Sequence, residues 1–136
     1  MAIIDVSPLV MRDVNLTIGG LDDFSKHVDA VTFTPTAASI TWTGLNKNTH
    51  TDVATATWTV VLNYVQDWDT VGSLSNYLFE NEGDTVALSF RPRNGVGPSF
   101  TVNAVITPGA IGGTVNTFAT TSVTLGCDKP AIVPAV

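Results

Sequence analysis

The clearest pattern along the chain is a strict alternation over residues 55–64. Ala56, Trp58, Val60, Leu62 and Tyr64 occupy the even positions, and Thr55, Thr57, Thr59, Val61 and Asn63 the odd ones. A period of two sustained this long predicts a strand with one face in a core. A slip of one residue would put Trp58 and Leu62 in water, so burial fixes the register. The same alternation recurs at residues 84–91, where Val86, Leu88 and Phe90 share a face. It recurs again at 99–107 with Phe100, Val102, Ala104 and Ile106. The Gly- and Asn-rich stretch 92–98 between those two predicts a hairpin turn. Shorter or less regular β-runs cover residues 9–18 (closed by Gly19-Gly20), 24–34 (ended by Pro35), 39–43 (Ile40 and Trp42 on one face) and 118–127. Residues 108–116 read as a loop around Gly112-Gly113.

One segment changes period. Leu74, Tyr77 and Leu78 are spaced i, i+3, i+4, Ser73 can cap the start, and Gly83 can end the run. A helix over about residues 73–81 follows, laid over an end or face of the sheet, with Trp68 closing over its apolar stripe. About seven or eight short strands with turn signals and a single helix predict a mainly β protein. The fold class is an antiparallel β-sandwich or barrel with one flanking helix, not a βαβ series. The organisation read from this is an N-terminal arm at 1–8, one domain at 9–127 and a C-terminal tail at 128–136. A chain of 136 residues buries roughly two-thirds of its unfolded surface on folding, so it needs no metal or disulfide staple.

Composition adds a reason to expect partners. Charged residues make up 13% of the chain, about half of the usual ~25%. Thr, Ser, Asn and Gly take their place, and the twenty threonines fall mostly within alternating runs. Uncharged polar faces suit surfaces that neighbours will cover, because interface centres are depleted of charge; a weakly charged monomer is the plainer alternative. The net charge is −6 with a pI near 4.4. The basic residues Arg12, Lys26, Lys47, Arg91, Arg93 and Lys129 are scattered, whereas phosphate binding needs them clustered. Repulsion from nucleic acid is therefore expected rather than attraction.

Catalytic chemistry finds little to work with. Cys127 stands alone, so no intrachain disulfide is possible, and it reads as a small apolar residue of a reducing compartment. His27 and His50 are far apart and lack the ligand spacing of a zinc site; both read as ordinary solvated or hydrogen-bonded residues. Asp22-Asp23, Asp67/Asp69 and Glu80/Glu82 are the paired carboxylates. Asp67-Trp68-Asp69 looks like a fragment of a calcium loop, but the downstream ligands and the fixed Gly are missing. Acidic groups before a helix are explained by its N-terminal dipole. Gly95-Val96-Gly97-Pro98 and Gly112-Gly113-Thr114 lack the Lys and helix of a phosphate-cradling loop. No cofactor or metal is expected, and no enzyme. Asp5 interrupts Ile3-Ile4, so no signal peptide is expected, and no apolar run reaches the ~18 residues of a membrane span.

The polar stretch 44–52 is long for a hairpin turn. Leu45, Asn46, Lys47, Asn48, Thr49, His50, Thr51 and Asp52 read either as a plain exposed loop or as an arm reaching a neighbouring subunit.

The order of features resembles a known family. Trp58, then Leu62-Asn63-Tyr64-Val65-Gln66-Asp67-Trp68, leads into Leu74-Ser75-Asn76-Tyr77-Leu78. Phe90-Arg91-Pro92, Pro98-Ser99-Phe100-Thr101 and Ile106-Thr107-Pro108-Gly109-Ala110-Ile111-Gly112-Gly113 follow. Asn116-Thr117-Phe118-Ala119, Ser122-Val123-Thr124-Leu125 and Lys129-Pro130 close the series. Over about residues 8–130 this resembles the tail tube, or major tail, proteins of long-tailed, siphovirus-type bacteriophages, through many weak positions rather than one motif. The resemblance implies a β-sandwich that forms hexameric rings, stacked around a tape-measure protein from the tail tip and closed by a terminator. It implies a negative bore through which DNA passes without specific binding, no membrane insertion, assembly in the host cytoplasm and a place in the virion tail. Loop 44–54 and both termini become candidate ring-to-ring contacts. The alternatives are a capsid decoration or tail-completion protein, and a β-sandwich adhesion domain.

Overall fold

A computed structural model describes residues 2–11, 14–19, 22–93 and 97–134. The strands are β1 (Asn15–Ile18), β2 (Asp22–Asp23), β3 (Val28–Thr36), β4 (Ser39–Thr43), β5 (Thr49–Val53) and β6 (Thr57–Val65). After helix α1 (Leu74–Glu80) come β7 (Thr85–Arg91), β8 (Ser99–Val105), β9 (Thr120–Cys127) and β10 (Ala131–Val133). The protein is mainly β, with antiparallel sheets and one short helix among the described residues. The main sheet runs β2-β1-β7-β8-β9-β6-β3, with β10 on β8, while β4 and β5 form a separate two-stranded sheet.

The main sheet folds over on itself. β6 pairs with β9 from Trp58↔Cys127 to Val65↔Thr120, and β7 with β8 from Thr85↔Val105 to Phe90↔Phe100. Among the described residues the two halves are joined by the single pair Ala104↔Cys127. There the sheet turns a corner, and its halves face each other as a sandwich. Phe33 of β3 packs on Phe90 and Phe100 of the opposite half, with ring centroids at 5.7 and 6.5 Å. The predicted inward faces fill the space between. Val60, Leu62 and Tyr64 of β6, Leu88 and Phe90 of β7, Val102 and Ala104 of β8, and Val123 and Leu125 of β9 are all buried. Truncating a fully buried leucine such as Leu62, Leu88 or Leu125 to alanine costs about 2–5 kcal/mol.

Helix α1 is too short to be stable by itself and is held by its packing. Leu74 and Leu78 are fully buried, and Tyr77 lies against Phe24 at 5.5 Å. Ser73 caps it, accepting from the Asn76 amide at 3.5 Å and donating to the Asp67 carbonyl at 2.5 Å. The segment after it returns to the sheet through Gly83 N–H to the Ile106 carbonyl, 2.9 Å. The helix thus closes the end of the sandwich at which β6 finishes and β7 begins.

Several expectations are corrected. Among the described residues of the run 9–18, Asn15–Ile18 form a strand, where β7 supplies a partner. Leu9, Val10 and Met11 have no ladder partner and stand exposed. Pro35 does not end β3; it pairs with Trp58 inside the strand. β3 is an edge strand, so the missing N–H leaves no gap in a ladder. Trp68 does not cover Leu74 and Leu78. It sits half-exposed, edge-on to Phe79 at 6.2 Å, because Asp67 Oδ1 accepts from the amides of Asp69 and Thr70 and turns the chain outward. The last strand starts at Thr120, leaving Phe118 in solvent. Residues 131–133 add a short strand on β8. Gly20 and the Asn94-Gly95-Val96 part of the predicted turn lie outside the described residues, as does Arg12.

Candidate assembly surfaces

The stretch 44–54 is not a loop but the distal half of a hairpin. The β3–β6 ribbon ends at Thr36↔Thr57 and resumes as β4–β5 from Ser39↔Val53 to Thr43↔Thr49. One hydrogen bond, Ala54 N–H to the Ala38 carbonyl at 2.8 Å, bridges the interruption. Of the predicted contact residues, Leu45, Asn46, Lys47 and Asn48 form the turn. Thr49, His50, Thr51 and Asp52 belong to β5. Lys47 takes the left-handed conformation (φ 66°) that the tight turn requires, and its amide donates to Gly44. Five cross-strand pairs at about 3.4 Å each carry the ribbon roughly 17 Å onward.

Every residue of β4 and β5 is exposed. The register puts Ile40, Trp42, His50 and Asp52 on one face, and Ser39, Thr41, Thr43, Thr49, Thr51 and Val53 on the other. Trp42 stacks on His50 with centroids 6.0 Å apart, yet is still 62% exposed. An isolated two-stranded hairpin is marginal in water, and this one holds an aromatic–aliphatic face open to solvent. The sequence places Ile40 and Trp42 on one face of a short strand at 39–43, as the register has them, but gives no sign that this face is left open. The long polar stretch that follows was the available signal that this ribbon leaves the sandwich.

The end of the sandwich from which the hairpin departs is not plugged. An apolar groove of about 440 Å³ opens there, lined chiefly by Phe33, Trp58, Phe90, Phe100 and Ile132. Leu9 and Met11 run along it and Lys129 stands among its lining residues. It adjoins a second hollow, lined by Ser7, Pro8, Leu9 and Arg93 among others. Beyond them the arm leaves the surface, with Ile3 at 94%, Ile4 at 89% and Val6 at 83% exposure. The helix side carries its own exposed apolar set, Val71 and Phe79, and the loop before β9 adds Ile111, Val115 and Phe118.

Between the ends, the central cross-strand rows of β3-β6-β9 carry no charged residue, and Asp29 lies beside them with Asn63 and Ser122. Cross-strand rows run Thr32–Val61–Thr124, Thr34–Thr59–Gly126 and Ala30–Asn63–Ser122. This is where much of the unusual Thr content goes.

The titratable groups stay dispersed. No three His, Cys, Asp or Glu side chains cluster among the described residues. His27 Nδ1 is buried without a hydrogen-bond partner, its ring edge-on to Phe24 at 5.7 Å, and His50 is on the hairpin. Burial, with some help from Asp128, pushes the Cys127 thiol up, away from nucleophilic use. Burial likewise raises Tyr64, against a smaller opposing effect of its Gly109 backbone hydrogen bond. Asp67 is held below its ordinary value by hydrogen bonds from Thr70 and then Asp69, and Asp23 by those from Ser25. Asp67 and Asp69 therefore serve the turn before α1. No described helix is long and apolar enough to cross a membrane.

Comparison with solved structures places the fold. The chain is similar to one in the anti-feeding prophage cap, the terminating cap of that particle's tube. The TM-score is 0.71 at 15% identity, covering 99% of this chain and 97% of the other. Similar too is a chain of the sheath–tube complex of the extracellular contractile injection system PVC in its extended state, with TM-score 0.68, 14% identity and 93% and 92% coverage. A chain of the sheath/tube terminator of the same system gives TM-score 0.68 at 14% identity, covering 93% and 97%. At these identities the likeness is one of fold, and it extends over nearly the whole chain. No protein-family model matches the sequence, and no curated protein matches it.

Proposed function

We propose that this protein is a non-catalytic structural subunit of a phage-type tail, and specifically a tube subunit. It self-assembles into hexameric rings that stack into a hollow tube. The observation that carries this reading is the fully exposed β4–β5 hairpin with its Ile40–Trp42–His50 face, an apolar surface of the kind that marks an interaction site and that another copy would cover. The whole-chain likeness to components of tube-bearing particles supports it, as do the Thr-rich, weakly charged flank of β3-β6-β9 and the exposed arm. The turn and second strand of the hairpin, residues 45–52, act as the contact between rings. Tape-measure, tail-tip and terminator proteins are the other partners. The acidic balance of the chain keeps DNA from adhering as it passes. The protein resides in the virion tail after assembly in the host cell.

A second reading is a tube terminator or cap, a tail-completion role, favoured by two of the three similar structures. The two differ in growth: a tube subunit polymerises, whereas a terminator forms one ring and stops. Negative-stain microscopy of the concentrated protein separates them, stacked rings supporting the first reading and single rings the second. Monomers that never assemble, even with tail-tip and tape-measure proteins present, sink both. Deleting Asn46 to His50 is expected to leave a folded subunit that no longer grows tubes; normal growth of that folded variant refutes the contact role.

A further inference from the structure

We infer that the apolar groove at the hairpin end is filled by the N-terminal arm of a second copy of this chain. This rests on the self-assembly reading above and assigns its lock. The groove holds about 440 Å³, against ~30 Å³ for one water, so it has room for more than one aliphatic side chain. The arm offers them. Ile3, Ile4 and Val6 are almost wholly in solvent, a poor place for adjacent large aliphatic groups.

In an extended segment alternate side chains share a face. Ile4 and Val6 therefore enter the groove together while Asp5 stays in solvent over the rim, where a long lysine side chain can carry its ammonium out to meet it. The charges match. Asp5 is the only charged residue among the described residues 2–11, and the groove and its neighbouring hollow carry Lys129 and Arg93.

The surface is also continuous. The arm's own Leu9 and Met11 already lie along the groove of their own copy, and residues 2–6 project beyond it. Five residues reach up to roughly 17 Å, enough to cross to an adjacent subunit. The hairpin fits less well, because a two-stranded ribbon is broader than a single extended segment. An arm given to one neighbour and a groove filled by another make a head-to-tail contact, which closes into rings or continues as a filament.

The test uses two cysteine variants in a Cys127→Ser background, one Ile4→Cys and the other Ile132→Cys. Both positions are exposed, at 89% and 65%, so folding is preserved. Mixing them under oxidation is expected to give a disulfide between the two kinds of chain. Coupling seen only when both cysteines are in one chain means that each arm fills its own groove, and overturns the inference. Coupling of a Trp42→Cys variant, but not Ile4→Cys, to Ile132→Cys also overturns it.

A charge exchange gives a second readout. At about 0.15 M salt, where the repulsion between the acidic bodies is screened, Asp5→Lys and Lys129→Glu are each expected to raise the concentration needed for assembly about two- to fivefold, the equivalent of one exposed ion pair. The double variant is expected to return to the wild-type value, and absence of that return overturns the pairing. Wild-type protein that assembles while both tests fail removes the arm exchange alone. Wild-type protein that stays monomeric removes the self-assembly reading with it.

Discussion

At the scale of single residues, Gly109 leaves less room for a side chain than any other described glycine. Tyr64 is buried at the end of β6, and its hydroxyl hydrogen-bonds the Gly109 backbone. A Cβ at 109 would collide with that hydroxyl and stand 3.2 Å from ring carbon Cζ. Neither group can give way, since the ring is locked in the sandwich. Gly109→Ala is expected to cost about 1–3 kcal/mol and Tyr64→Phe about 1 kcal/mol. Because Tyr64→Phe removes the colliding atom, the double variant should be more stable than the sum of the singles. Urea unfolding of the four proteins checks this, and additivity would refute the contact. Asp67 gives a pH prediction. Its carboxyl is lowered by hydrogen bonds from Thr70 and Asp69, so the folded state favours the charged form. Its contribution is present above the ordinary carboxylate range and is lost as pH falls through the depressed value. An NMR titration should put Asp67 below 3.8, and Asp67→Ala should flatten the acid limb of stability.

At the scale of elements, the hairpin is where sequence and structure part. β6, β7 and β8 were legible because each has a core on one side and water on the other, so burial writes period two into them. The helix was legible from Leu74, Tyr77 and Leu78 and from the Ser73 cap. β4 carries the same alternation, yet Ile40 and Trp42 are 58% and 62% exposed. Alternation reports a face that is to be covered, and cannot say whether the cover comes from the same chain. The run 9–18 fails for a related reason: Leu9, Val10 and Met11 are apolar enough for a strand, but among the described residues of the run only 15–18 find a partner. The contact role proposed for 45–52 has the same origin, a polar stretch too long for a turn, and the face at Ile40 and Trp42 belongs with it. If that face serves another copy, Trp42→Ser should change the stability of the isolated subunit by no more than about 0.5 kcal/mol, as for an ordinary surface site. It should nevertheless abolish or strongly delay assembly, read by sedimentation. A large loss of stability together with normal assembly would assign Trp42 to the subunit's own fold.

At the scale of the whole molecule, the two ends differ, one with groove, arm and hairpin and the other with helix and loop, while the β3-β6-β9 flank carries no charge in its central rows. In the assembly proposed above, unlike ends meet head to tail. Each copy brings a net charge of −6, so bringing copies together sets acidic bodies side by side. That repulsion acts over about 30 Å in 0.01 M salt and about 10 Å in 0.1 M. Screening should therefore assist assembly. The arm–groove ion pair opposes this trend, but an exposed pair contributes at most about 1 kcal/mol, whereas repulsion is shared among all the charges of every neighbour. The concentration needed for assembly is accordingly expected to fall as salt rises from roughly 0.01 to 0.15 M. Glu80 and Glu82 stand exposed at the helix end, and E80Q/E82Q should make the dependence shallower without altering the subunit's fold. Light scattering across a salt series distinguishes the cases. Assembly that weakens steadily with salt would mean that specific ion pairs, not apolar surfaces, hold the copies together.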